Sequence, residues 1–493
     1  MGMRLISSNI RFYRRSLVIS QEMEFGLAQT RKGSLLVVLA RSGSKELEAF
    51  EGEASEFGDH VLMLCPLISR NASSLRSSLT WLKPRLLGLR TSAGMGDRLG
   101  IATPGHVRAV RDIKSEIAPI FAQQSIREMK RTGRSPQQVM DDATWGIFEE
   151  GWQSGVGSDA DHLKTKADID ACIIAGFTLF TIDPGEYVDD HGPSINNNQL
   201  IEKLELLPDY LQPKATGLLD KTFAVEGFQL FMDEAALQRA ITKYGKAVAH
   251  VANMYEYLVQ VAGNHPFEVE VSMDETELPT SPLEHIYIAS ELRRMGVKWI
   301  SFAPRFVGRF EKGVDYIGDL QAFKTDLSVH AAIARYFGPY KLSLHSGSDK
   351  FSIYSMFMEE TNGLAHLKTA GTSYLEALRT IAALDSDLFK EIYIFALEHF
   401  ETDKLSYHIS AQIDKAPKPS EIKDWPAILD QFDAREMLHV TFGSVLTEKR
   451  GDGKRHFYDR LMSVLNANRE IYFDNLVCHF KRHLNPFSSP GER

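Results

Sequence analysis

Eight short apolar segments, each followed by a longer stretch of helical periodicity, run through the chain from residue 86 onward, and this alternation constrains the fold more than any other feature. Such alternation is the pattern of βα units around a parallel sheet. The segments fall at residues 86–91, 117–122, 157–162, 176–182, 267–273, 298–303, 340–345 and 364–368. An open doubly wound sheet is compatible with the alternation, but eight is the number that closes a barrel. The expected class is therefore α/β, a (β/α)8 TIM-type barrel.

The linking segments agree with that class. Asp233 is placed to cap a helix whose apolar stripe (Leu237, Ile241, Tyr244, Val248, Val251, Tyr255, Leu258) recurs every three or four residues until Gly263 and Pro266 stop it. Residues 282–295 read as a helix closed by Gly296, and residues 373–384 as another after the last strand. The start of the chain is different: short strands at 35–40 and 60–64 flank a polar stretch, and the serine-rich 69–80 reads as a connection or irregular helix. The expected organisation is a small N-terminal α+β lid or packing domain over 1–85, a catalytic barrel over 86–445 and a peripheral helical segment over 446–493. An insertion at about 185–230 is long enough to cover the barrel mouth.

Composition excludes several classes. The formal charge is −9 with basic residues dispersed, so the electrostatic footprint of a nucleic-acid binder is missing. An anionic substrate would then need local arginines and lysines. Three cysteines (Cys65, Cys172, Cys478) are too few and too scattered for a disulfide framework or a Cys-type zinc site, which suits a reducing cytoplasm. No apolar stretch approaches the roughly 20 residues of a membrane span. Arg4, Arg11, Arg14 and Arg15 lie near the N-terminus, but no apolar run and cleavage site follow as in a signal peptide. The expectation is a cytoplasmic protein with no nucleic-acid or membrane partner, with a homo-oligomer left open.

Barrel enzymes carry their chemistry at the C-terminal ends of the strands, and the reactive side chains of this sequence collect there. The first strand runs into Asp97 and Arg98, the second into Gln123, Gln124, Ser125 and Arg127, and the third carries Asp159, Asp161, His162 and Lys164. Asp183 ends the fourth; Glu268, Glu270, Asp274 and Glu275 belong to the fifth; Arg305, His345, His366 and Lys368 end the last three. Strand parity adds to this. In residues 267–273 one face is apolar and the other is Glu268, Glu270 and Ser272, so the glutamates project into the barrel. The same parity sends Ser343 and His345 inward. A carboxylate inside a barrel is unfavourable unless a positive group meets it, and a metal ion is the simplest such group. The glycines at 94, 96 and 100 resemble a dinucleotide fingerprint but are mis-spaced, and no acidic residue follows in the right context, so nicotinamide is not expected.

The string from Gly96-Asp97-Arg98-Leu99-Gly100 to Thr103-Pro104-Gly105-His106 resembles the opening motif of the tagaturonate epimerase family. Gln124-Ser125-Ile126-Arg127-Glu128, Asp141-Asp142-Ala143-Thr144-Trp145, Asp159-Ala160-Asp161-His162-Leu163-Lys164 and Phe180-Thr181-Ile182-Asp183-Pro184-Gly185 continue the likeness in order, from about residue 86 to about 371. The resemblance implies a metal-dependent enzyme that interconverts tagaturonate and fructuronate, two keto sugar acids of hexuronate breakdown. With strand position, it points to His162, Glu270 and His345 as metal ligands, with His366 and Asp161 as rivals and with zinc, manganese or nickel as the ion. The two implied substrates differ at a hydroxyl-bearing carbon β to the ketone, which proton exchange next to a carbonyl cannot invert. Without a nucleotide fingerprint, retro-aldol cleavage and re-addition is the expected route, the ion acting as Lewis acid. Asp161 and Glu268, with Asp183 behind them, are the acid/base candidates. Arg305, Lys164 and Lys368 are candidates for the substrate carboxylate, and Arg98, Gln124 and Ser125 for its hydroxyls. Three alternatives stay open: a Schiff-base aldolase using Lys164 or Lys368, a metal-dependent sugar isomerase, and a non-catalytic sugar-acid-binding barrel.

Overall fold

Seven of the eight expected segments hold a strand, the first strand lies just past its expected segment 86–91, and the eight strands close on one another. In the computed structural model they are Ser92–Gly94 (β1), Ala118–Ser125 (β2), Gly157–Leu163 (β3), Leu179–Ile182 (β4), Glu268–Ser272 (β5), Ser301–Ala303 (β6), Lys341–Leu344 (β7) and Ala365–Lys368 (β8). They pair in chain order and in parallel, and β8 pairs back to β1. The structure describes residues 11–30, 33–191, 196–369 and 371–488. Arg4, part of the expected insertion and the last residues of the expected C-terminal segment lie outside the described residues. The first strand starts later than expected because Gly88, in the left-handed region at φ 57°, turns the chain just before it.

The main apolar core lies between the barrel and its helices, and a separate small cluster gathers Leu87, Ala118, Ile120 and Leu179. Val269 and Val271 of β5, Leu342 and Leu344 of β7 and Leu367 of β8 are buried on the outer side. The alternate residues Glu270, Lys341, Ser343, His366 and Lys368 are also buried, and they fill the barrel with polar groups. The helix Glu234–Ala262 starts at Asp233, whose side chain accepts from the Ala236 amide, and buries the expected stripe from Leu237 to Leu258, apart from the half-buried Tyr255.

Three parts of the chain depart from expectation. The N-terminal unit is a six-stranded antiparallel sheet that includes Met23–Thr30 and, at one edge, Glu53–Phe57. That edge strand is exposed along its whole length, so no apolar alternation marks it in the sequence. The helix Ser69–Ser78 fixes the sheet to the barrel: Arg76 donates to Asp141 and Thr144, both at 2.8 Å.

The insertion does not supply the cover of the mouth through its hairpin, Lys221–Val225 and Phe228–Met232. Glu226 at the hairpin tip pairs at 2.7 Å with Arg335, near the end of the helix Leu320–Phe337 that leads into the start of β7. The hairpin therefore lies toward the opposite end of the barrel. Finally, the helix Arg469–Leu484 is buried rather than peripheral. Tyr472, Phe473, Leu476 and Phe480 are all within the core, and Gly105 permits the approach, since a Cβ there would sit 2.7 Å from Leu476 Cδ1. No described helix is long and apolar enough to cross a membrane.

Candidate active site

At the C-terminal end of the barrel two imidazoles face each other with a carboxylate behind each. His162 reaches the mouth because of a bulge: the pairing of β3 with β4 slips by one residue across Asp161 and His162, and His162 takes φ 55°. Simple alternation would send these neighbours to opposite faces; a bulge re-aims one of them. His162 Nδ1 lies 2.7 Å from Asp161 Oδ1 and so carries the proton. Its Nε2 is buried without a hydrogen-bond partner among the described residues, 3.9 Å from Asp274 Oδ1 and 3.8 Å from Glu275 Oε1. His345, just past β7, sets Nε2 2.6 Å from Glu270 Oε1 and Nδ1 2.9 Å from Asp274 Oδ1. The two ring centroids are 5.1 Å apart.

The electrostatics follow from burial and these neighbours. Burial pulls the His345 pKa down, but Asp274 and Glu270 outweigh it and push it up to about 10. Burial would raise Asp274, yet His345 and His162 hold it well below the usual carboxylate range. Donor atoms of His162, Asp274 and His345 all lie within 4.8 Å of one another, and a second such group joins His162 to Asp183 and Glu275. An imidazole whose far nitrogen is held by a carboxylate is the usual arrangement of a metal-binding histidine. Both rings have it, Asp161 behind His162 and Glu270 behind His345.

Beneath them sits one cation among three anions. Lys368 Nζ lies 2.8 Å from Asp159 Oδ2, 2.7 Å from Asp161 Oδ1 and 2.8 Å from Glu270 Oε1, and donates to Thr181 at 2.7 Å. Burial opposes its charge, but the three carboxylates prevail and hold its pKa well above the ordinary value. Deeper still, Lys341 donates to Ser92, which also touches His366 at 2.9 Å.

This geometry corrects several expectations. Glu270 was expected as a ligand, but it engages the far nitrogen of His345 and Lys368, and Asp274 occupies the near side. Asp161, expected to carry protons, is fixed between His162 and Lys368, whose charges outweigh the effect of burial and hold its pKa well down. Lys368, expected to bind substrate, is 3% exposed and surrounded by carboxylates. Glu268 sits at the N-terminal end of β5, accepting from the amides of Leu87 and Gly88 at 3.0 and 2.6 Å. Arg98 is buried against Glu128 at 2.6 Å and stacks on Phe442, the Ser125 hydroxyl caps the helix that follows it, and Gln124 Oε1 accepts from Arg134. His366 lies in the barrel interior, away from the mouth. Asp183 and Lys164, 3.7 Å apart, remain beside His162. Glu268→Gln is accordingly expected to keep kcat/KM within about twofold of wild type while costing about 1 kcal/mol of stability, through one weakened amide contact. Initial rates and a denaturant midpoint check both halves.

Next to the imidazoles opens a cavity of about 500 Å³, lined by Asp274, Glu275, His345, Arg127, Arg305 and Lys312, among others. Arg127 is spent on Glu275 at 2.5 Å. Arg305 is held by the carbonyls of Thr276 and Phe306, and Lys312 donates to Ser346 at 2.6 Å. Neither has a carboxylate within ion-pair distance among the described residues. Lys312 escaped sequence reading because it lies in the long loop after β6, seven residues beyond Arg305, where parity gives no guide.

Residues 407–410 close one side of this cavity. Glu311 accepts from the Ser410 amide and hydroxyl at 2.7 and 2.8 Å, and Glu436 from the Ala411 amide at 3.1 Å. Burial, then the charge of Glu311, pushes the Glu436 pKa up to about 9. A folded pKa above the unfolded one means this stabilisation is complete below about pH 4 and is lost as pH rises toward 9. Glu436→Gln should therefore raise stability at pH 8, on the order of 2 kcal/mol, and by steadily less toward pH 5. Thermal unfolding across that range measures it.

The sequence profile of the tagaturonate epimerase family matches residues 13–487. A tagaturonate/fructuronate epimerase of Thermotoga maritima is 43% identical over 477 residues, 96% of each chain. Two crystal structures of the fructuronate-tagaturonate epimerase of Cohnella laeviribosi, one with glycerol and one native, superimpose with TM-scores of 0.92 at 37% and 38% identity, covering 98% of each chain.

Proposed function

The chain belongs to the tagaturonate epimerase family, and from that membership we propose that it interconverts tagaturonate and fructuronate with a divalent metal ion at the barrel mouth. What carries the reading is the pair His162 and His345, each backed by a carboxylate and both turned toward Asp274, beside a cavity holding two uncommitted cations.

His162 Nε2, His345 Nδ1 and Asp274 Oδ1 would hold the ion, with Glu275 at hand. Two nitrogens and a carboxylate suit zinc, manganese or nickel. The buried, unpartnered His162 Nε2 is costly unless something is bound to it. When bound, such an ion supplies Lewis-acid polarisation of substrate oxygens.

The carbon to be inverted lies β to the ketone, and its C–H is acidified by neither carbonyl group. Inversion proceeds by opening the bond between it and the carbon next to the ketone. The hydroxyl loses its proton and becomes an aldehyde, and the bonding pair passes to the ketone fragment as an enediolate. The aldehyde turns over, the pair adds to its other face, and the new alkoxide regains a proton. Asp183 is the carboxylate placed to move that proton. Its Oδ2 is buried without a hydrogen-bond partner, and burial, with the charge of Glu275 added, raises its pKa against the pull of His162 and Lys164. A carboxyl raised in this way is suited to take and return a proton.

Arg305 and Lys312 take the substrate carboxylate, which belongs to the aldehyde fragment, and so retain that fragment while the bond is open. Lys312→Met is expected to raise KM on the order of tenfold with a smaller change in kcat, as for lost uniform binding. The route is tested by converting fructuronate in D2O and following the product by NMR. Tagaturonate without carbon-bound deuterium is expected. A displaced carbonyl, or deuterium at the inverted carbon, refutes the cleavage route.

A further inference from the structure

The loop that leaves His345 runs to Asp349, where it meets the buried helix Arg469–Leu484. That helix presents His479 and His483 four residues apart, on one face, and all three side chains are buried. His483 Nδ1 lies 3.0 Å from the His479 carbonyl and so carries the proton of the neutral ring. Its Nε2 accepts the Asp349 amide at 2.9 Å, so a lone pair points outward there. Yet that nitrogen is 3.2 Å from Asp349 Oδ1. His479 Nε2 is 3.5 Å from the same oxygen, and neither atom has a hydrogen-bond partner. His483 Nε2 takes only the Asp349 amide, and the buried Asp349 Oδ1 and His479 Nε2 converge beside it without a hydrogen bond among the described residues, an arrangement that a bound cation would relieve.

We propose that Asp349, His479 and His483 hold a second divalent cation, zinc or an ion of similar preference, which ties the C-terminal helix to the loop behind His345. Bonds of about 2.0–2.1 Å at tetrahedral angles separate ligand atoms by about 3.3–3.4 Å. The two contacts to Asp349 Oδ1, at 3.2 and 3.5 Å, bracket that spacing. The far nitrogen of His483 is braced by the His479 carbonyl, as in metal-bound histidines, and that of His479 lies 3.5 Å from Glu376. Arg435 holds the other Asp349 oxygen at 2.6 Å and leaves Oδ1 for the ion. Binding exchanges the hydrogen bond from the Asp349 amide for coordination at His483 Nε2. The group opens on a cavity of about 480 Å³ that shares no lining residue with the one at the barrel mouth, so water can complete the coordination.

Zinc content per chain, measured after equilibration with zinc and removal of free ion, tests this on the full protein. His479→Gln is expected to bind one fewer zinc than its parent, both in the wild-type background and in His345→Ala. Zinc should raise the thermal midpoint of His345→Ala but not that of His345→Ala/His479→Gln. Without zinc, His479→Gln should unfold close to its parent, because His479 Nε2 has no hydrogen-bond partner among the described residues and Nδ1 only a 3.5 Å contact with Glu376. Equal zinc content in His479→Gln and parent overturns the proposal. Zinc lost from His345→Ala but not from His479→Gln leaves the barrel-mouth reading standing and sinks this one. If His345→Ala does not fold, the wild-type comparison alone decides.

Discussion

Replacing His162 with alanine is expected to lower kcat/KM by about a thousandfold or more while the protein stays folded. The fold survives because the partner left behind is not stranded: Asp161 keeps Lys368 at 2.7 Å and Gln123 at 3.2 Å. What is lost is a nitrogen with no hydrogen-bond partner among the described residues. Asp274→Asn, which keeps the volume and an acceptor for Ser272, should fall as far. Glu270→Gln should fall less, about 10- to 100-fold, since Glu270 acts by orienting His345. Metal content and kcat/KM of the three variants, with circular dichroism as control, decide the matter. A Glu270→Gln protein without metal beside a fully loaded Asp274→Asn protein would restore Glu270 as the ligand.

Lys368→Met should be the most damaging single change to stability. It removes the cation shared by Asp159, Asp161 and Glu270 and leaves three buried carboxylates together. Breaking a buried pair in this way costs about 3–5 kcal/mol, a large part of a typical folding free energy. The pH dependence should also reverse. In the wild type, the charges of Lys368 and the histidines outweigh burial and hold Asp161 and Glu270 well below their ordinary values. Their contribution is therefore present above about pH 4 and lost as pH falls further. In Lys368→Met the same carboxylates lose their shared cation and keep His162 and His345, so their folded pKa values rise, and stability should improve on acidification from pH 7 to pH 5. Denaturant midpoints at the two pH values read both effects. A variant as stable as wild type at pH 7 would show that the cluster is not charged as described.

Most strands were legible because they are short, apolar on their outer side and polar on the inner, so Glu270 and Ser343 could be placed in the barrel by parity alone. What escaped was whatever breaks parity or follows it. The bulge at Asp161 and His162 puts consecutive residues at the mouth. Asp274 lies two residues beyond β5, where no face can be assigned, and its part in the site depends on His345 arriving from β7. Lys368 was read at the correct strand end, but its three partners come from β3 and β5, and only closure of the barrel brings them to it. The exposed edge strand Glu53–Phe57 carries no apolar signal, and the burial of His479 and His483 depends on a helix docking from the far end of the chain.

Assay of ion-stripped protein with fructuronate, before and after addition of zinc, manganese or nickel, bears most directly on the proposed reaction, with the product identified by chromatography. Tagaturonate should form only once an ion is restored, and the same preparation should return fructuronate when started from tagaturonate. Undiminished conversion by ion-free protein, or none with any ion although His162, Asp274 and His345 bind it, would contradict the proposal.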